Sequence, residues 1–344
     1  MTTGCVYDPI FLEHDLPGHP ENSRRLLAIM QALEESALLP ALTQVPAQPV
    51  DIGLLQRVHT PLYRQYVERM AERGGGFLDA DTYVAPRSYE AALMAAGGLV
   101  EAVRAVLEGR LDNAFALVRP PGHHARPAHG MGFCLFNNVA IAAVYALEQA
   151  GLQRVLIVDF DVHHGNGTQE AFYEDDRVLY FSTHQYPFYP GTGHWQEIGE
   201  GRGQGYTVNV PLPYGVGDEG FRYIFVELLF PLARRFRPQL ILVSAGYDAH
   251  WRDPLAGLSL SLKGYAQIAE LLRMMAEELC GGRLVFTLEG GYDLEVLAYG
   301  AANTFRVLMG VPAEECPDPF GPASGLETPI NGFVRQLRTY HRLS

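Results

Sequence analysis

The chain of 344 residues combines 48% apolar residues with a formal net charge of −13 at pH 7. This apolar content is enough for a large buried core, and α/β folds of this length are often single domains. The acidic balance argues against a nucleic-acid-binding surface and favours cationic partners. The four cysteines, Cys5, Cys134, Cys280 and Cys316, lack the spacing of metal or redox motifs. We therefore expect reduced thiols and a cytoplasmic protein.

Short β-rich apolar runs alternate with longer helical patterns along the chain. The predicted strands cover residues 115–118, 155–158, 178–181, 240–244 and 284–288. The predicted helices cover residues 88–109, 138–150, 219–236, 263–280 and 294–309, and a last short helix follows the loop 312–329. This alternation predicts one α/β domain over 1–344, with a central parallel sheet flanked by helices on both faces. The sequence contains neither a signal-peptide pattern nor an apolar segment of membrane-spanning length, so we expect no membrane contact.

Ionisable and hydroxyl side chains follow each predicted strand at the point where it ends. In chain order they are His123 and His124; Asp159, Asp161 and His163; Ser182 and His184; Asp248 and Asp253; and Glu289 and Tyr292. The carboxyl ends of parallel strands form the edge of an α/β sheet where ligands bind. The sequence therefore predicts a functional site at this edge.

The segment after the second predicted strand is the most informative. In an extended chain residues i, i+2 and i+4 face one way, so Asp159, Asp161 and His163 are presented together. Two carboxylates and an imidazole are costly to bury unless a cation or hydrogen bonds satisfy them. With Asp253, Asp161 and His163 make a three-ligand set that leaves an open position, the pattern of catalytic zinc. Oxygen-rich ligation would also accept Fe²⁺, Co²⁺ or Mn²⁺.

Two consecutive histidines, His123 and His124, point in different directions and can have different functions. Each could pair with a polar group of the next loop, here Asp159 and Asn166, and such pairing fixes the tautomer of an imidazole. Tyr292 follows two glycines, which permit close approach of the backbone, so its phenol could reach over a bound metal.

Six motifs occur in an order that resembles the zinc-dependent histone deacetylase superfamily. They are RPPGHHA at 119–125, GFCLFNN at 132–138, DFDVHHGNGTQ at 159–169, SAGYD at 244–248, DPLAG at 253–257 and LEGGY at 288–292. The resemblance extends from residue 19 to the last helix. It is strongest to the class II branch and its bacterial relatives, the deacetylase-like amidohydrolases, acetoin-utilisation proteins and acetylpolyamine amidohydrolases. It implies the arginase–deacetylase fold and one catalytic Zn²⁺ ion.

The resemblance also implies roles for individual residues. The zinc ligands would be Asp161, His163 and Asp253. His124 would be the general base and acid, with Asn166 as its amide partner. His123 and Asp159 would form an electrostatic pair, and Tyr292 would be the oxyanion donor. Phe133 and Tyr189 would form the aromatic walls of a tunnel for the acyl-lysine stem. Gly132 would lie near its floor and Leu260 near its rim.

Two further sites are implied by the same family. Arg25 matches an arginine beside an acetate exit, and Asp159 and Ser182 match positions that hold a structural K⁺ ion. Asp79 and Asp81 lie in a loop that could reach the rim of the tunnel. Whether either contacts substrate is left open by the sequence.

The predicted function is removal of acetyl or other acyl groups from the lysine ε-amine of peptides or proteins. An acetylpolyamine deacetylase is the main alternative, mildly disfavoured because Leu260 is not acidic. A two-metal arginase-like ureohydrolase is remote because Gly165 stands where a carboxylate ligand is needed, and an inactive acyl-lysine-binding protein is remote because every catalytic position is filled. The sequence is also compatible with a homo-oligomer.

Overall fold

An eight-stranded parallel sheet forms the centre of the protein in the computed structural model, which describes residues 1–343. The strands are β1 (Thr3–Val6), β2 (Thr43–Val45), β3 (Gly76–Phe77), β4 (Tyr83–Val84), β5 (Asn113–Ala116), β6 (Val155–Asp159), β7 (Val178–Gln185), β8 (Thr207–Leu212), β9 (Leu240–Ala245) and β10 (Leu284–Leu288). The large sheet has the order β2-β1-β5-β10-β9-β6-β7-β8, and each neighbouring pair is parallel. β3 and β4 form a separate antiparallel pair.

Helices cover both faces of the large sheet. They are α1 (Arg24–Glu35), α2 (Ile52–Leu55), α3 (Pro61–Glu72), α4 (Ser88–Leu107), α5 (Asn138–Glu148), α6 (Asn166–Phe172), α7 (Asp218–Ile224), α8 (Phe230–Phe236), α9 (Leu262–Cys280), α10 (Leu294–Leu308) and α11 (Asn331–Tyr340). A π-helical stretch, Phe225–Leu229, joins α7 to α8. Short 3₁₀ turns lie at Pro9–Leu12, Leu39–Ala41, Gly201–Gly203 and Ala313–Glu315. Among residues 1–343 we find no helix with the length and apolar character that crossing a bilayer requires.

The predicted fold class is confirmed, because the sheet is parallel and helices flank it. α4 packs on α5, while α1, α10 and α9 pack on one another in a second group. The strands β1, β2 and β8 and the helices α1 and α3 were not predicted, because glycine, threonine or charged residues interrupt their apolar patterns. A single domain over 1–344 stays a prediction, supported by one continuous cluster of buried apolar residues.

The register of the central strands aligns their carboxyl ends. Asp159 at the end of β6 lies opposite Ser182 on β7 and Ser244 on β9. Leu288 at the end of β10 lies opposite Ala245 at the end of β9. The loops that follow these strands therefore emerge side by side, at the edge where α/β sheets bind ligands.

A buried ion cluster ties the N-terminal segment to this edge. The Glu21 carboxylate is fully buried and accepts hydrogen bonds from Arg25 Nη1 at 3.0 Å and Arg119 Nη2 at 2.7 Å. Burial alone would raise the pKa of Glu21, but the charge of Arg119 holds it well below its usual range. Arg25 in turn donates to the carbonyls of Glu289 and Gly291 at 2.6 and 2.8 Å. The cluster therefore supports the loop that follows β10.

We predict that Glu21→Gln destabilises the fold by about 3–5 kcal/mol, because it leaves two buried guanidinium groups without their counter-charge. Urea unfolding of both proteins measures the difference. Glu148→Gln is the matched control, since the pair between Glu148 and Arg57 is exposed to solvent and exposed pairs contribute little. Equal shifts for the two variants would contradict the structural importance of the cluster.

Candidate metal centre and active site

Three side chains converge where β6 and β9 end. Asp161 Oδ1 lies 3.1 Å from His163 Nδ1, and Asp248 Oδ2 lies 3.3 Å from the same nitrogen. One ligand-type atom from each residue lies within 4.8 Å of the others. Both carboxylates are buried, whereas the His163 side chain is 12% exposed, so the group is open on one side only. This set of two carboxylates and one imidazole could hold a divalent cation and leave a position free.

That Asp253 is the third ligand stays a prediction, and Asp248 is a further carboxylate beside the same group. The Asp253 carboxylate accepts hydrogen bonds from the backbone N–H groups of Leu255, Tyr292 and Asp293 at 2.9, 2.7 and 3.3 Å. Burial and then the charge of Asp248 raise the pKa of Asp253 to about 7. Asp253 therefore lies within electrostatic reach of Asp248.

The donor set fits a cation in two respects. Asp248 Oδ2 is buried and lies 3.3 Å from His163 Nδ1, and a bound cation would satisfy both atoms. Two glycines leave room for the carboxylates: a Cβ at Gly246 would lie 2.1 Å from Asp161 Oδ2, and one at Gly290 would lie 2.1 Å from Asp248 Oδ2. Larger residues at these positions would displace the ligands.

The proton affinity of His163 reflects the same negative charge. Burial lowers its pKa, but hydrogen bonds and charge interactions with Asp161 and Asp248 outweigh burial and raise the pKa to about 10. A metal ligand must be the neutral imidazole. The two carboxylates therefore attract a positive charge at this point, and a bound cation would replace the proton.

The histidine pair makes the contacts expected from the sequence. His123 Nδ1 lies 3.1 Å from Asp159 Oδ2, and His124 Nδ1 lies 2.8 Å from Asn166 Oδ1. Burial lowers the pKa of His123, but Asp159 and Asp161 outweigh this and raise it to about 10. Burial holds the pKa of His124 well below its usual range, and the neighbouring His123 and His163 lower it further. His124 is thus a neutral imidazole beside a cationic one.

Glu289 supports the histidine turn and was not singled out for this role in the sequence. Its Oε2 accepts hydrogen bonds from the backbone N–H groups of Gly122 at 2.7 Å and His123 at 3.2 Å, and its Oε1 accepts from Ser244 Oγ at 3.0 Å. Its place directly after a buried strand was the available signal, since a carboxylate there needs donors.

Tyr292 lies between two supports. Its backbone N–H donates to Asp253, and the Arg25 guanidinium lies 5.1 Å from the centre of its ring. Gly291 has φ +118°, a conformation that side-chain-bearing residues rarely adopt. Arg25 is fully buried, and its guanidinium donates hydrogen bonds to the Gly291 carbonyl and to the Glu21 carboxylate. Its link to an acetate exit stays a prediction.

Aromatic rings flank the approach to the histidines. The Phe133 ring lies 5.9 Å from the Tyr292 ring, and the 41% exposed Tyr189 lies 5.2 Å from the His124 ring. A Cβ at Gly132 would lie 2.3 Å from His124 Cδ2, so this glycine lies against the catalytic imidazole candidate. Phe188, which sequence reasoning missed, stacks on His163 at 5.6 Å. Phe133 and Tyr189 each lie beside a proposed catalytic residue, and their role as walls of a tunnel stays a prediction.

That Leu260 lies near the rim of the tunnel stays a prediction. Leu260 is fully buried, and its backbone pairs with Ala249 and Trp251. The segment returns to the core there, because its apolar residue packs under the loop. Leu255 is the partly exposed leucine of this loop, and its N–H donates to Asp253.

The loop with Asp79 and Asp81 lies close to the opening. Asp79 Oδ1 accepts from the N–H groups of Asp81 and Thr82, and Thr82 Oγ1 accepts from the N–H of Phe133 at 3.1 Å. The pKa of Tyr189 is raised first by burial and then by charge interactions with Cys134, Asp79 and Asp81. Both carboxylates therefore act on the electrostatic field at the mouth.

The residues of the expected potassium site are neighbours in the sheet. Asp159 and Ser182 are paired across β6 and β7. Ser182 Oγ lies 2.9 Å from His184 Nδ1, and Asp159 Oδ2 accepts from the Tyr180 hydroxyl at 3.0 Å. Both side chains thus have protein partners, and K⁺ binding stays a prediction.

Comparison with known proteins identifies the group to which this site belongs. The profile of the histone deacetylase domain matches residues 19–308. A probable deacetylase of Archaeoglobus fulgidus is 47% identical over 314 residues, covering 90% of this chain and 87% of the relative. A histone deacetylase-like amidohydrolase of Pseudomonas aeruginosa is 41% identical over 293 residues, covering 85% and 76%. The crystal structure of the HDA15 HD domain superposes with a TM-score of 0.89 at 37% identity, covering 99% of this chain and 94% of that one. The chain therefore belongs to the histone deacetylase family and is a hydrolase that acts on amides.

Proposed function

We propose that the protein is a zinc-dependent amidohydrolase that removes acetyl or other acyl groups from the ε-amine of lysine in peptides or proteins. The observation that carries this proposal is the convergence of Asp161, His163 and Asp248 beside the neutral imidazole of His124. Asp161, His163 and Asp253 would hold zinc, with Asp248 beside them, and zinc when bound polarises the amide carbonyl and acidifies the attacking water. Reduced, buried cysteines are in keeping with a cytoplasmic enzyme.

His124 would move the protons. Its Nδ1 donates to Asn166 Oδ1, which fixes the tautomer with Nε2 as the free base. Nε2 would take the proton of the water and later give it to the departing amine. His123, in contact with Asp159, would hold positive charge beside the site and stabilise the negative charge that develops.

Tyr292 would donate its hydroxyl to the oxyanion of the tetrahedral intermediate. Asp253 and Arg25 support this role because they fix the backbone on either side of the tyrosine. Asp253 would thus connect the metal group to the oxyanion donor. Phe133 and Tyr189 would flank the alkyl stem, which excludes water from the reacting amide.

An acetylpolyamine is the second candidate substrate, favoured by Asp79 and Asp81 near the mouth. A cationic amine outside the tunnel would meet their negative field. The exposed ring of Tyr189 favours the larger acyl-lysine peptide instead, because an open aromatic flank accommodates a chain on either side.

The metal assignment predicts that Asp253→Asn purifies with far less than one zinc per chain, because the change removes a charged ligand. Elemental analysis after dialysis measures the metal content, with Asp248→Asn as the comparison at the neighbouring carboxylate. Metal loss confined to the Asp248 variant would reverse the assignment.

The oxyanion role predicts that Tyr292→Phe lowers kcat by about 10²–10³-fold, the scale for one lost donor. KM should change little, because the hydrogen bond strengthens mainly in the transition state. Tyr299→Phe is the matched control, since Tyr299 lies on α10 with an exposed ring. Steady-state kinetics that give Tyr292→Phe a near-normal kcat on the best substrate would remove the tyrosine from the mechanism.

The substrate is tested by measuring kcat/KM of the zinc enzyme on an acetyl-lysine peptide, a longer acyl-lysine peptide and an acetylpolyamine. We expect an acyl-lysine peptide to be the best substrate. A paired Asp79→Asn, Asp81→Asn variant should then retain most peptide activity. If the acetylpolyamine is best and the double variant loses that preference, the enzyme is a polyamine deacetylase.

A further inference from the structure

A cleft at the opposite edge of the sheet concentrates positive charge in an acidic protein. It has a volume of about 680 Å³, and four arginines line it: Arg154, Arg234, Arg235 and Arg237. Arg154 directly precedes β6, while the other three lie at the carboxyl end of α8. Among the described lining residues the acidic one is Asp176, which is paired with Arg202 at 3.6 Å. We call this feature the arginine cleft.

Most of this charge is not neutralised within the protein. Arg234 pairs with the Glu278 carboxylate at 2.7 Å. Arg154 Nε donates to the Arg237 carbonyl, and Arg235 Nη1 donates to the His341 carbonyl, both at 2.8 Å. A carbonyl orients a guanidinium without neutralising it. Within residues 1–343 we find no carboxylate paired with Arg154, Arg235 or Arg237, so an anion would relieve their mutual repulsion.

The floor of the arginine cleft is apolar and partly aromatic. Leu179, Leu232 and Phe236 are buried beneath it. The half-buried Tyr206 ring lies 5.8 Å from the Phe236 ring. A floor of this kind suits a ligand with a flat organic part as well as anionic groups, because ligand sites combine apolar surface with a few charged anchors.

A smaller cavity of about 320 Å³ adjoins the arginine cleft and shares Arg235 with it. His341 and Arg342 line this cavity. His341 is only 7% exposed, and its Nε2 has no hydrogen-bond partner among the described residues. Buried polar atoms are nearly always paired. This orphan is a second, independent sign that the region receives a polar ligand.

We propose that the arginine cleft binds a nucleotide, with its phosphates on the guanidinium groups of Arg235 and Arg237 and its base against Tyr206. Planar guanidinium groups match phosphate oxygens in bidentate geometry. The five residues of β6 separate Arg154 from the candidate metal centre by about 15 Å. The site is therefore distinct from the deacylase site and does not depend on its assignment.

Isothermal titration of the full-length protein at low salt tests the proposal, with ATP, AMP, adenosine and inorganic phosphate as separate ligands. We expect one ATP per chain, and binding of adenosine or phosphate alone at least about tenfold weaker, because each uses only part of the site. Equal affinity for phosphate and ATP, or no saturable ATP binding, would overturn the nucleotide assignment.

Substitution locates the binding. Arg235→Gln with Arg237→Gln should weaken ATP binding at least about tenfold, since it removes two charged contacts. Arg87→Gln with Arg110→Gln is the control of equal charge change, because these arginines pair with Glu90 and Glu108 elsewhere on the surface. The single change Arg237→Gln is measured as well, because the Arg237 side chain makes no hydrogen bond within residues 1–343 that its replacement would break. Unchanged ATP affinity in the Arg237 variants would contradict the proposal, since that is the result expected if ATP binds at the metal centre. An equal loss of affinity in the control variant would contradict it too.

Discussion

Burial of three carboxylates at the ends of adjacent strands is the constraint on which the site depends. Asp159, Asp161 and Asp248 are each at most 1% exposed, and unpaired charges in such places are strongly unfavourable. Asp159 is satisfied by His123 and Tyr180. Asp161 accepts from the N–H groups of His163 and Gly290, and Asp248 accepts from the N–H of Val162. A cation bound at this group would neutralise the carboxylates, so metal binding and the local fold would share one electrostatic requirement.

The loop after β10 links the candidate metal group to the proposed catalytic residues. Its backbone contacts a proposed ligand through Gly290, the supporting Asp253 through Tyr292, and the buried Arg25 through Gly291. The side chain of Glu289, one residue earlier, holds the histidine turn by its N–H groups. A shift of the loop would therefore move the proposed oxyanion donor and the proposed base together. Glycine is needed at the two central positions for different reasons: Gly291 adopts a positive φ, and a Cβ at Gly290 would lie 2.1 Å from Asp248 Oδ2.

The sequence predicted the features that depend on local residue patterns. It predicted fewer of the features that depend on how the loops fold back onto the core. The apolar runs located five of the eight strands of the large sheet, and period-two spacing brought Asp161 and His163 to one face. Asp248 and Asp253 both follow β9, and spacing alone does not tell how the loop folds back toward the metal group. The family resemblance implied that Leu260 lies at the rim, and the burial of Leu260 depends on the same return of the loop. Glu289 and Phe188 gained their roles through contacts with distant segments, which a single sequence does not encode as a pattern.

The most direct test of the central claim is an anomalous difference map, measured above the zinc absorption edge from crystals of the zinc-loaded protein. The account predicts one strong peak bounded by Asp161, His163 and Asp253, with Asp248 beside it. A peak coordinated by Asp248 in place of Asp253, or no peak at this edge of the sheet with zinc bound elsewhere, would contradict it.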